Sequence, residues 1–262
     1  MLEISAVIIT LNEERRLGRA LASLSVAPAL IDDVLVVDCG STDGTREIAA
    51  QYGARLLLHT WEGYARQKNY AASQAKYPWV LSLDADEALS PQLAAELEQI
   101  KREGPGDAAG FLMPRAACYQ GRWIRHSGWY PDFKLRLYDR RRGRWVGDYV
   151  HEHVEVDGPV RKLVGDLQHF TCDSFEEHLR SLDRYTTLAA QESLEGGEGW
   201  VLPRMLAGPP WKFVETYLFR QGFRDGFPGL VIAGMAGFYV FLKYAKLWQM
   251  RKESGARSQE SE

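Results

Sequence analysis

The acidic sequence Asp84-Ala85-Asp86-Glu87 directly follows an apolar run from Trp79 to Leu83. A short apolar run between a proline and a polar turn is typical of a strand in the middle of a parallel sheet. On an extended backbone, residues two apart point the same way, so Asp84 and Asp86 can share a divalent cation with a diphosphate. The alternative is an acidic turn that merely caps a helix starting near Pro91.

Strands and helices alternate four times before the chain reaches residue 105, and this alternation indicates how the aspartates are positioned. Apolar strands are predicted at residues 4–9, 34–37, 55–59 and 79–84. A helix follows each strand, and in the first one Leu17, Leu21 and Leu24 are spaced to form one apolar face. The pattern is typical of a parallel sheet with helices on both faces, where ligands gather at the carboxyl ends of the strands.

A second polar turn runs from Asp38 to Thr45 and is rich in glycine and hydroxyl residues. Asp38, at the end of a strand, can accept a hydrogen bond from a base or a ribose, and the glycines let a backbone approach closely. The alternative is a turn that only caps the next helix. Neither the dinucleotide motif Gly-x-Gly-x-x-Gly nor a P-loop motif occurs in the sequence, so a different kind of nucleotide site is indicated.

The composition indicates one main domain with an appendage, since 262 residues can bury a full core. The formal charge is −3, but residues 115–144 hold nine Lys and Arg against two Asp, and residues 201–257 hold nine against three acids. Both stretches favour anionic partners. Three cysteines without paired spacing, and an N-terminus without a basic signal region, favour a cytosolic protein.

Several motifs are spread along the chain: Val7 to Glu14, Val36 to Thr45, Trp61 to Tyr64, Gln67 to Asn69, Leu83 to Glu87, Gly121 to His126, Gly128 to Asp132, His151-Glu152, Asp183 to Thr187 and Phe241 to Trp248. Together they resemble family 2 glycosyltransferases, and more narrowly the lipopolysaccharide core β-1,4-glucosyltransferases. The resemblance implies an α/β fold of the GT-A type, with a Rossmann-like, mostly parallel central sheet. It also implies inverting transfer of a hexose from a UDP-sugar to the lipopolysaccharide inner core or a related lipid-linked glycan. Glucose is the first candidate for this hexose.

The resemblance assigns a set of residues to the donor. These residues are Thr10, Leu11, Asn12, Glu13, Asp38, Gly40, Ser41, Arg66, Lys68, Asp84, Ala85 and Asp86. The first turn and Asp38 would hold uridine, while Arg66 and Lys68 would lie near the phosphates unless they are ordinary solvated helix charges. Asp84, Asp86 and His169 are the implied ligands of Mg²⁺ or Mn²⁺, which neutralises a leaving diphosphate; His169 has a hydrogen-bonded structural role as its alternative.

An inverting transfer needs a base that removes the proton of the acceptor hydroxyl, usually a positioned carboxylate. The resemblance implies Glu152, with Glu155 and Asp132 as rivals. The candidate acceptor contacts are Trp129, Tyr130, Asp132, Arg136 and His151. Aromatic rings pack on sugar faces and Arg pairs with phosphate, so a phosphorylated saccharide is favoured over nucleic acid, for which no motif is present.

Beyond Glu103 the pattern changes to short strands, predicted at 111–114, 134–138, 145–146 and 153–156, and then to a long helix from Ser174 to Gly196. We therefore predict a donor-binding half at 1–105, an acceptor-binding half at 106–199, a helical segment at 200–250 and a disordered tail at 251–262.

Residues 226–242 form a 17-residue run without charge, flanked by cations and aromatic residues. This length is at the lower limit for crossing a membrane. We predict helices that lie on the anionic inner face of the cytoplasmic membrane, with a transmembrane helix or a homo-oligomer interface as alternatives.

Other functions stay open at this stage. They are a non-catalytic nucleotide-sugar-binding membrane scaffold, a transferase to a polyprenyl phosphate, and a sugar nucleotidyltransferase, although the Gly-rich N-terminal loop of the last class is missing. A scaffold needs neither a metal pair nor a base, so Asp84, Asp86 and Glu152 together favour the enzyme.

Overall fold

The computed structural model describes residues 1–25, 29–147, 152–172 and 174–260, with side chains described through residue 253. The described strands are β1 (Ile4–Thr10), β2 (Asp33–Asp38), β3 (Arg55–Leu58), β4 (Trp79–Asp84), β5 (Glu87–Leu89), β6 (Gly110–Tyr119), β7 (Arg122–Ile124), β8 (Asp132–Asp139), β9 (Gly143–Val146), β10 (His153–Val156), β11 (Val160–Lys162) and β12 (Leu167–Cys172). The described helices are α1 (Leu17–Ser25), α2 (Thr45–Gln51), α3 (Tyr64–Ser73), α4 (Pro91–Glu103), α5 (Phe175–Glu195), α6 (Val201–Val214) and α7 (Phe227–Glu260). A π-helical turn, Glu215–Phe219, and a 3-10 turn, Gly222–Asp225, lie between α6 and α7.

The first half of the sheet is parallel, as the sequence predicts. β1 pairs with β2 on one side and β4 on the other, and β3 flanks β2. The register places Thr10 opposite Asp38, and Ile9 opposite Asp84. The polar turns that follow β1, β2 and β4 therefore lie at one edge of the sheet.

Both faces of the parallel strands are buried, so the predicted helices on both faces are confirmed. In β1, Ile4 and Ile8 belong to a core that includes residues of α1 and α4, whereas Val7 belongs to a second core that includes residues of α3. This double burial explains why the strands read as continuous apolar runs and not as alternating ones.

The second half of the sheet is antiparallel. The main strand order is β3-β2-β1-β4-β8-β6-β12-β5, with β7 and β11 also paired to β6, while β9 and β10 form a separate two-stranded sheet. Four of these strands, β5, β7, β11 and β12, differ from the sequence-based expectation, in which they are absent. In particular, Glu87 begins β5, which pairs with β12 so that His169 lies opposite Glu87, and the acidic turn is only two residues long.

Ser90, and not an acidic residue, caps α4. Its hydroxyl accepts a hydrogen bond from the backbone N–H of Leu93 at 3.1 Å, and Pro91 occupies the first helical turn. The alternative role for Asp84 and Asp86 as caps of this helix is therefore wrong, because both carboxylates have other partners.

The chain divides into two compact units, one of residues 1–117 and 131–171, the other of residues 118–130 and 172–262. The four segments predicted from the sequence stay a prediction. In the second unit, α7 packs against α5: the ammonium of Lys246 donates to the carbonyl of Asp183 at 2.6 Å and to the hydroxyls of Thr186 and Thr187 at 2.9 and 2.7 Å. The backbone of α7 is helical through Glu260, so residues 251–260, predicted as a tail, are helical here.

Within the described residues, one helix is long and apolar enough to cross a membrane: Phe227–Glu253, whose apolar 18-residue window has a mean hydropathy of 1.4. About a third of its most apolar window is buried inside the protein.

Candidate functional site

Two cations neutralise Asp84, the last residue of β4. Its Oδ1 lies 2.8 Å from the ammonium of Lys68 on α3, and its Oδ2 lies 2.6 Å from the guanidinium of Arg136 on β8. Burial would raise the pKa of Asp84, but the charges of Arg136 and Lys68 outweigh it and hold the pKa well below its usual value. Asp84 is therefore ionised in a setting where both of its oxygens are occupied.

Asp86 faces a different partner, His169 on β12. The distance from Asp86 Oδ2 to His169 Nε2 is 3.2 Å, and the other ring nitrogen of His169 lies 3.1 Å from the hydroxyl of Thr171. Burial would raise the pKa of Asp86, but His169 outweighs it and lowers the pKa. Because β4 ends at Asp84 and a turn follows, the extended-strand argument for two aspartates with common partners does not hold here.

Glu87 completes a closed ring of contacts around Asp84. Its fully buried carboxylate accepts the backbone N–H of Asp84 at 3.1 Å with one oxygen and binds Arg136 at 2.7 Å with the other. Arg136 returns to Asp84, which closes the ring, and Arg115 lies 3.6 Å from Glu87. The pKa of Arg136 is raised, since Asp84 and Glu87 outweigh the opposing effect of burial.

We expect Arg136→Met to lower the free energy of unfolding by about 3–5 kcal/mol, because it leaves the carboxylates of Asp84 and Glu87 without their shared cation. The urea midpoint measures this loss. Arg141→Met is the matched control: Arg141 pairs with Asp139 but its side chain is 66% exposed, so its midpoint should hardly move. Equal shifts in both variants would contradict the ring.

Lys68 joins Asp84 to the predicted base. Its buried ammonium lies 3.4 Å from Oε1 of Glu152 and 4.2 Å from the centre of the Trp145 ring. Asn69, next to Lys68 on α3, holds the backbone of Trp145. Its side-chain oxygen accepts the backbone N–H of Trp145 at 2.9 Å, and its side-chain nitrogen donates to the backbone carbonyl at 2.8 Å. The Trp145 ring thus packs against the ammonium of Lys68. The side chain of Glu152 is only 17% exposed.

The rival bases are less suited to accept a proton. Asp132 is bound by Arg115 at 2.6 Å and by Lys134 at 3.1 Å, and these cations outweigh burial and lower its pKa. Glu155 is exposed on β10 and lies 3.4 Å from His153. Of the three carboxylates, Glu152 is the one that, among the described contacts, binds the same lysine as Asp84.

Asp38 organises the predicted uridine turn through hydrogen bonds from both sides of its carboxylate. One oxygen of Asp38 accepts the N–H groups of Gly40 and Ser41 at 3.1 and 3.0 Å, and also the side chain of Arg46 at 2.9 Å. The other oxygen accepts the hydroxyls of Thr10 and Ser41. These bonds outweigh burial and lower the pKa of Asp38, so its charge shapes the turn.

The turn after β1 is fastened to the turn after β2. The N–H of Asn12 donates to the hydroxyl of Ser41, and the N–H of Glu13 donates to the hydroxyl of Thr45, both at 2.8 Å. Asn12 has a left-handed backbone with φ of 56°, and its side-chain oxygen accepts the N–H of Thr42 at 2.9 Å. The two turns thus form one preorganised surface.

Burial, opposed by Arg16 and reinforced by Asp86 and Asp43, raises the pKa of Glu13 to about 7. The folded chain therefore keeps this proton up to a higher pH than the unfolded chain does, and stability is lost as the pH rises through 7. We expect Glu13→Gln to gain on the order of 2 kcal/mol relative to the original chain between pH 5 and pH 8. Urea unfolding in chelator checks this, and a parallel pH dependence in both proteins would contradict it.

Asp86 and His169 offer one carboxylate and one imidazole, a donor set that fits Mn²⁺ or Mg²⁺ when phosphate oxygens and water complete the shell. Among the described residues, no group of three or more His, Cys, Asp or Glu side chains is arranged to hold a metal by itself. Asp84 would become a ligand only if Lys68 or Arg136 released it. The residues therefore fit a metal that is shared with the donor diphosphate.

Residues 5–154 match the sequence model of the family described as glycosyl transferase family 2. The chain is a family 2 glycosyltransferase. The parallel strands β3-β2-β1-β4, continued by antiparallel strands, are the GT-A fold of this family.

Full-length relatives agree with this family. The transferase is 32% identical to the lipopolysaccharide core biosynthesis glycosyltransferase LpsC of Rhizobium meliloti (strain 1021), with 95% of this chain and 93% of LpsC covered. It is 31% identical to the uncharacterized glycosyltransferase RT0209 of Rickettsia typhi (strain ATCC VR-144 / Wilmington), with 97% and 89% covered. Among solved structures, S. aureus TarS 1–349 shares 15% identity with a TM-score of 0.48, over 94% of this chain and 92% of that one.

The transferase brings most of the predicted residues into two neighbouring clusters within its first unit. The donor turn holds Thr10 to Glu13 with Asp38, Gly40 and Ser41, and the acidic cluster holds Lys68, Asp84, Asp86, Arg136, Glu152 and His169. Ala85 is buried between the two aspartates, Leu11 is half exposed, and Arg66 is exposed on α3. His151 lies outside the described residues. The roles of all these residues stay predictions.

Two predicted acceptor residues belong to the second unit. Trp129 is partly buried against Tyr119, their rings 5.9 Å apart edge to face, and Tyr130 lies under the guanidinium of Arg125 at 4.4 Å. The role of Glu87 could not be predicted from its motif. No local signal in the sequence shows that an acidic residue will be buried against an arginine of a distant strand.

Proposed function

We propose that this family 2 glycosyltransferase moves a hexose, glucose being the first candidate, from a UDP-sugar to a saccharide acceptor with inversion at the anomeric carbon. One observation carries the proposal: Lys68 bridges Asp84 and Glu152 at 2.8 and 3.4 Å, and this bridge supports Glu152 as the base.

The reaction uses these residues in the following way. Glu152 takes the proton of the acceptor hydroxyl while that oxygen forms a bond to C1 of the donor sugar. The bond from C1 to the diphosphate breaks, and both of its electrons leave with UDP. Lys68 and Arg136 hold Asp84 ionised and in place, and the ammonium of Lys68 would also stabilise negative charge on the phosphates. A divalent cation held by Asp86 and His169 would supply Lewis-acid stabilisation of the leaving diphosphate.

The similarity to LpsC, named for lipopolysaccharide core biosynthesis, supports the inner core of lipopolysaccharide as the acceptor. A polyprenyl phosphate is the second candidate, because it offers the same charge on a lipid. Either acceptor is membrane-borne, so we place the enzyme on the inner face of the cytoplasmic membrane.

A donor screen tests the proposal. The purified chain is given UDP-glucose, other UDP-hexoses, GDP-mannose and a detergent-dispersed lipopolysaccharide truncated to its inner core, and nucleotide release is measured with Mn²⁺, Mg²⁺ or chelator. We expect UDP release that needs the acceptor and a cation. GDP release would show that the donor is a GDP-sugar and not a UDP-sugar. UDP binding without turnover on any acceptor would favour a non-catalytic nucleotide-sugar-binding scaffold.

A further inference from the structure

An exposed aromatic corner lies between the end of α6 and the start of α7. We use this name for Trp211, Leu218, Phe219, Phe223 and Phe227, whose exposure ranges from 51% to 76%. The rings of Trp211 and Phe219 lie 5.9 Å apart, so part of the corner is a continuous apolar surface. Contiguous exposed surface of this kind marks an interaction site in a folded protein.

The corner is rigid, because a buried carboxylate fastens its backbone. Asp225 accepts the backbone N–H groups of Arg125 and His126 at 3.2 and 3.1 Å, the His126 ring nitrogen at 3.0 Å and the hydroxyl of Ser127 at 2.9 Å. The carbonyl of Arg220 accepts the N–H of Ser127 at 2.9 Å. The exposed rings are therefore presented by a fixed scaffold, and not by a loose loop.

The charges of the corner favour an anionic occupant. Arg220 and Arg224 are exposed between the aromatic residues. Lys212, Arg220 and Arg224 outnumber the two acids of the same stretch: Glu215 binds Lys212 and Arg220 at 2.9 and 2.8 Å, and Asp225 is buried. A second copy of the chain would bring the same cations against each other, whereas aromatic rings beside cations suit the interface of an anionic bilayer.

Contacts of α7 argue against a helix that crosses the bilayer. Lys246 is held by α5, and Lys243 and the hydroxyl of Tyr244 bind Glu198 at 3.3 and 2.8 Å. The uncharged run at 226–242 is 17 residues, or roughly 25 Å of helix, against a hydrocarbon core of about 30 Å. Because the run is shorter than the hydrocarbon core, a helix that spanned it would draw Lys243 and Tyr244 toward the bilayer and away from Glu198.

We infer that the second unit docks on one leaflet of an anionic bilayer through the aromatic corner, with α7 packed in the protein and not across the membrane. The inference deepens the membrane location given under the proposed function and rests on it. The segment fastened by Asp225 continues to Trp129 and Tyr130. Docking therefore holds these two predicted acceptor residues on a segment that is hydrogen-bonded to the corner.

The full chain tests this with vesicles of phosphatidylcholine, with and without phosphatidylglycerol, at low and high salt. We expect Phe223→Glu/Phe227→Glu to reduce flotation with anionic vesicles by at least ~10-fold. The matched control is Phe175→Glu/Leu179→Glu, which changes two exposed apolar residues of α5 in the same unit and should float like the original chain. Equal flotation of the corner variant and the original chain, or equal loss in the control, would overturn the inference.

Three further measurements distinguish docking on one leaflet from a spanning helix and from an oligomer interface. Brominated lipid should quench fluorescence in the original chain more than in Trp211→Phe, a variant that alters no buried side chain. Resistance to alkaline carbonate extraction would indicate a spanning helix, and conversion of a dimer to a monomer by the corner variant would indicate an oligomer interface; either outcome overturns the inference. UDP calorimetry on the same samples reports on the proposed function separately, since flotation needs no catalysis.

Discussion

Glu152→Gln should lower turnover at least ~100-fold while UDP affinity changes little, because the amide keeps the shape of the side chain but cannot take a proton. The protein should tolerate the change. Lys68 is closer to Asp84, at 2.8 Å, than to Glu152, at 3.4 Å, so its charge stays compensated when Glu152 becomes neutral. Single-turnover measurements of sugar transfer, with calorimetry for UDP, separate the chemical step from binding.

Two matched variants make this result specific. Glu155→Gln removes an exposed carboxylate on β10, three residues after Glu152, and should leave turnover unchanged. Asp132→Asn breaks the pair with Arg115 and should affect stability and acceptor KM more than the chemical step, since its carboxylate is already bound by two cations. Full activity in Glu152→Gln together with a collapse of turnover in Asp132→Asn would move the base to Asp132.

The parallel half of the fold was predictable because burial on both faces leaves a simple record in the sequence. The predicted strand at 79–84 agrees with β4, β1 is one residue longer than predicted at its end, and β2 is one residue longer at each end. The spacing of the leucines in α1 likewise predicted its buried face, since Leu17, Leu21 and Leu24 all belong to the core. Each of these signals is local, so each can be read without knowing the partner strand.

The antiparallel half was less predictable, because its pairing is not local. β5, β7 and β11 are three residues each, too short for a periodic signal, and β5 is a strand because β12 pairs with it about 80 residues later in the chain. The sequence showed which residue types were present at 84–87. It did not show that the turn would contain only two residues before the next strand.

The candidate site was predictable as a set of residue types but not as a set of contacts. The motif gave Asp84 and Asp86 a common ligand, whereas the structure gives Asp84 to Lys68 and Arg136, and Asp86 to His169. Arg136 was assigned to the acceptor from its basic surroundings, yet it is buried between Asp84 and Glu87. Burial of a charge depends on partners from other strands, and composition alone carries no record of them.

The separate partners of the two aspartates lead to a prediction about the metal. Chelator should weaken binding of the donor UDP-sugar at least ~10-fold, since the diphosphate would otherwise face the carboxylate of Asp86 without a compensating metal ion. Asp86→Ala and His169→Ala should bind the donor weakly with or without Mn²⁺. Asp84→Asn should keep its response to chelator, because both oxygens of Asp84 already bind cationic side chains.

Calorimetric titration of the donor, with Mn²⁺ and with chelator, measures all four proteins in the same way. Urea midpoints accompany each titration, because Asp84→Asn disturbs the pairing of Lys68 and Arg136 and should lose stability that Asp86→Ala keeps. Loss of the chelator response in Asp84→Asn alone would make Asp84 the metal ligand and would require Lys68 or Arg136 to move when the donor binds. Equal affinity in every protein and condition would remove the metal from donor binding and leave Lys68 as the described cation best placed to neutralise the diphosphate.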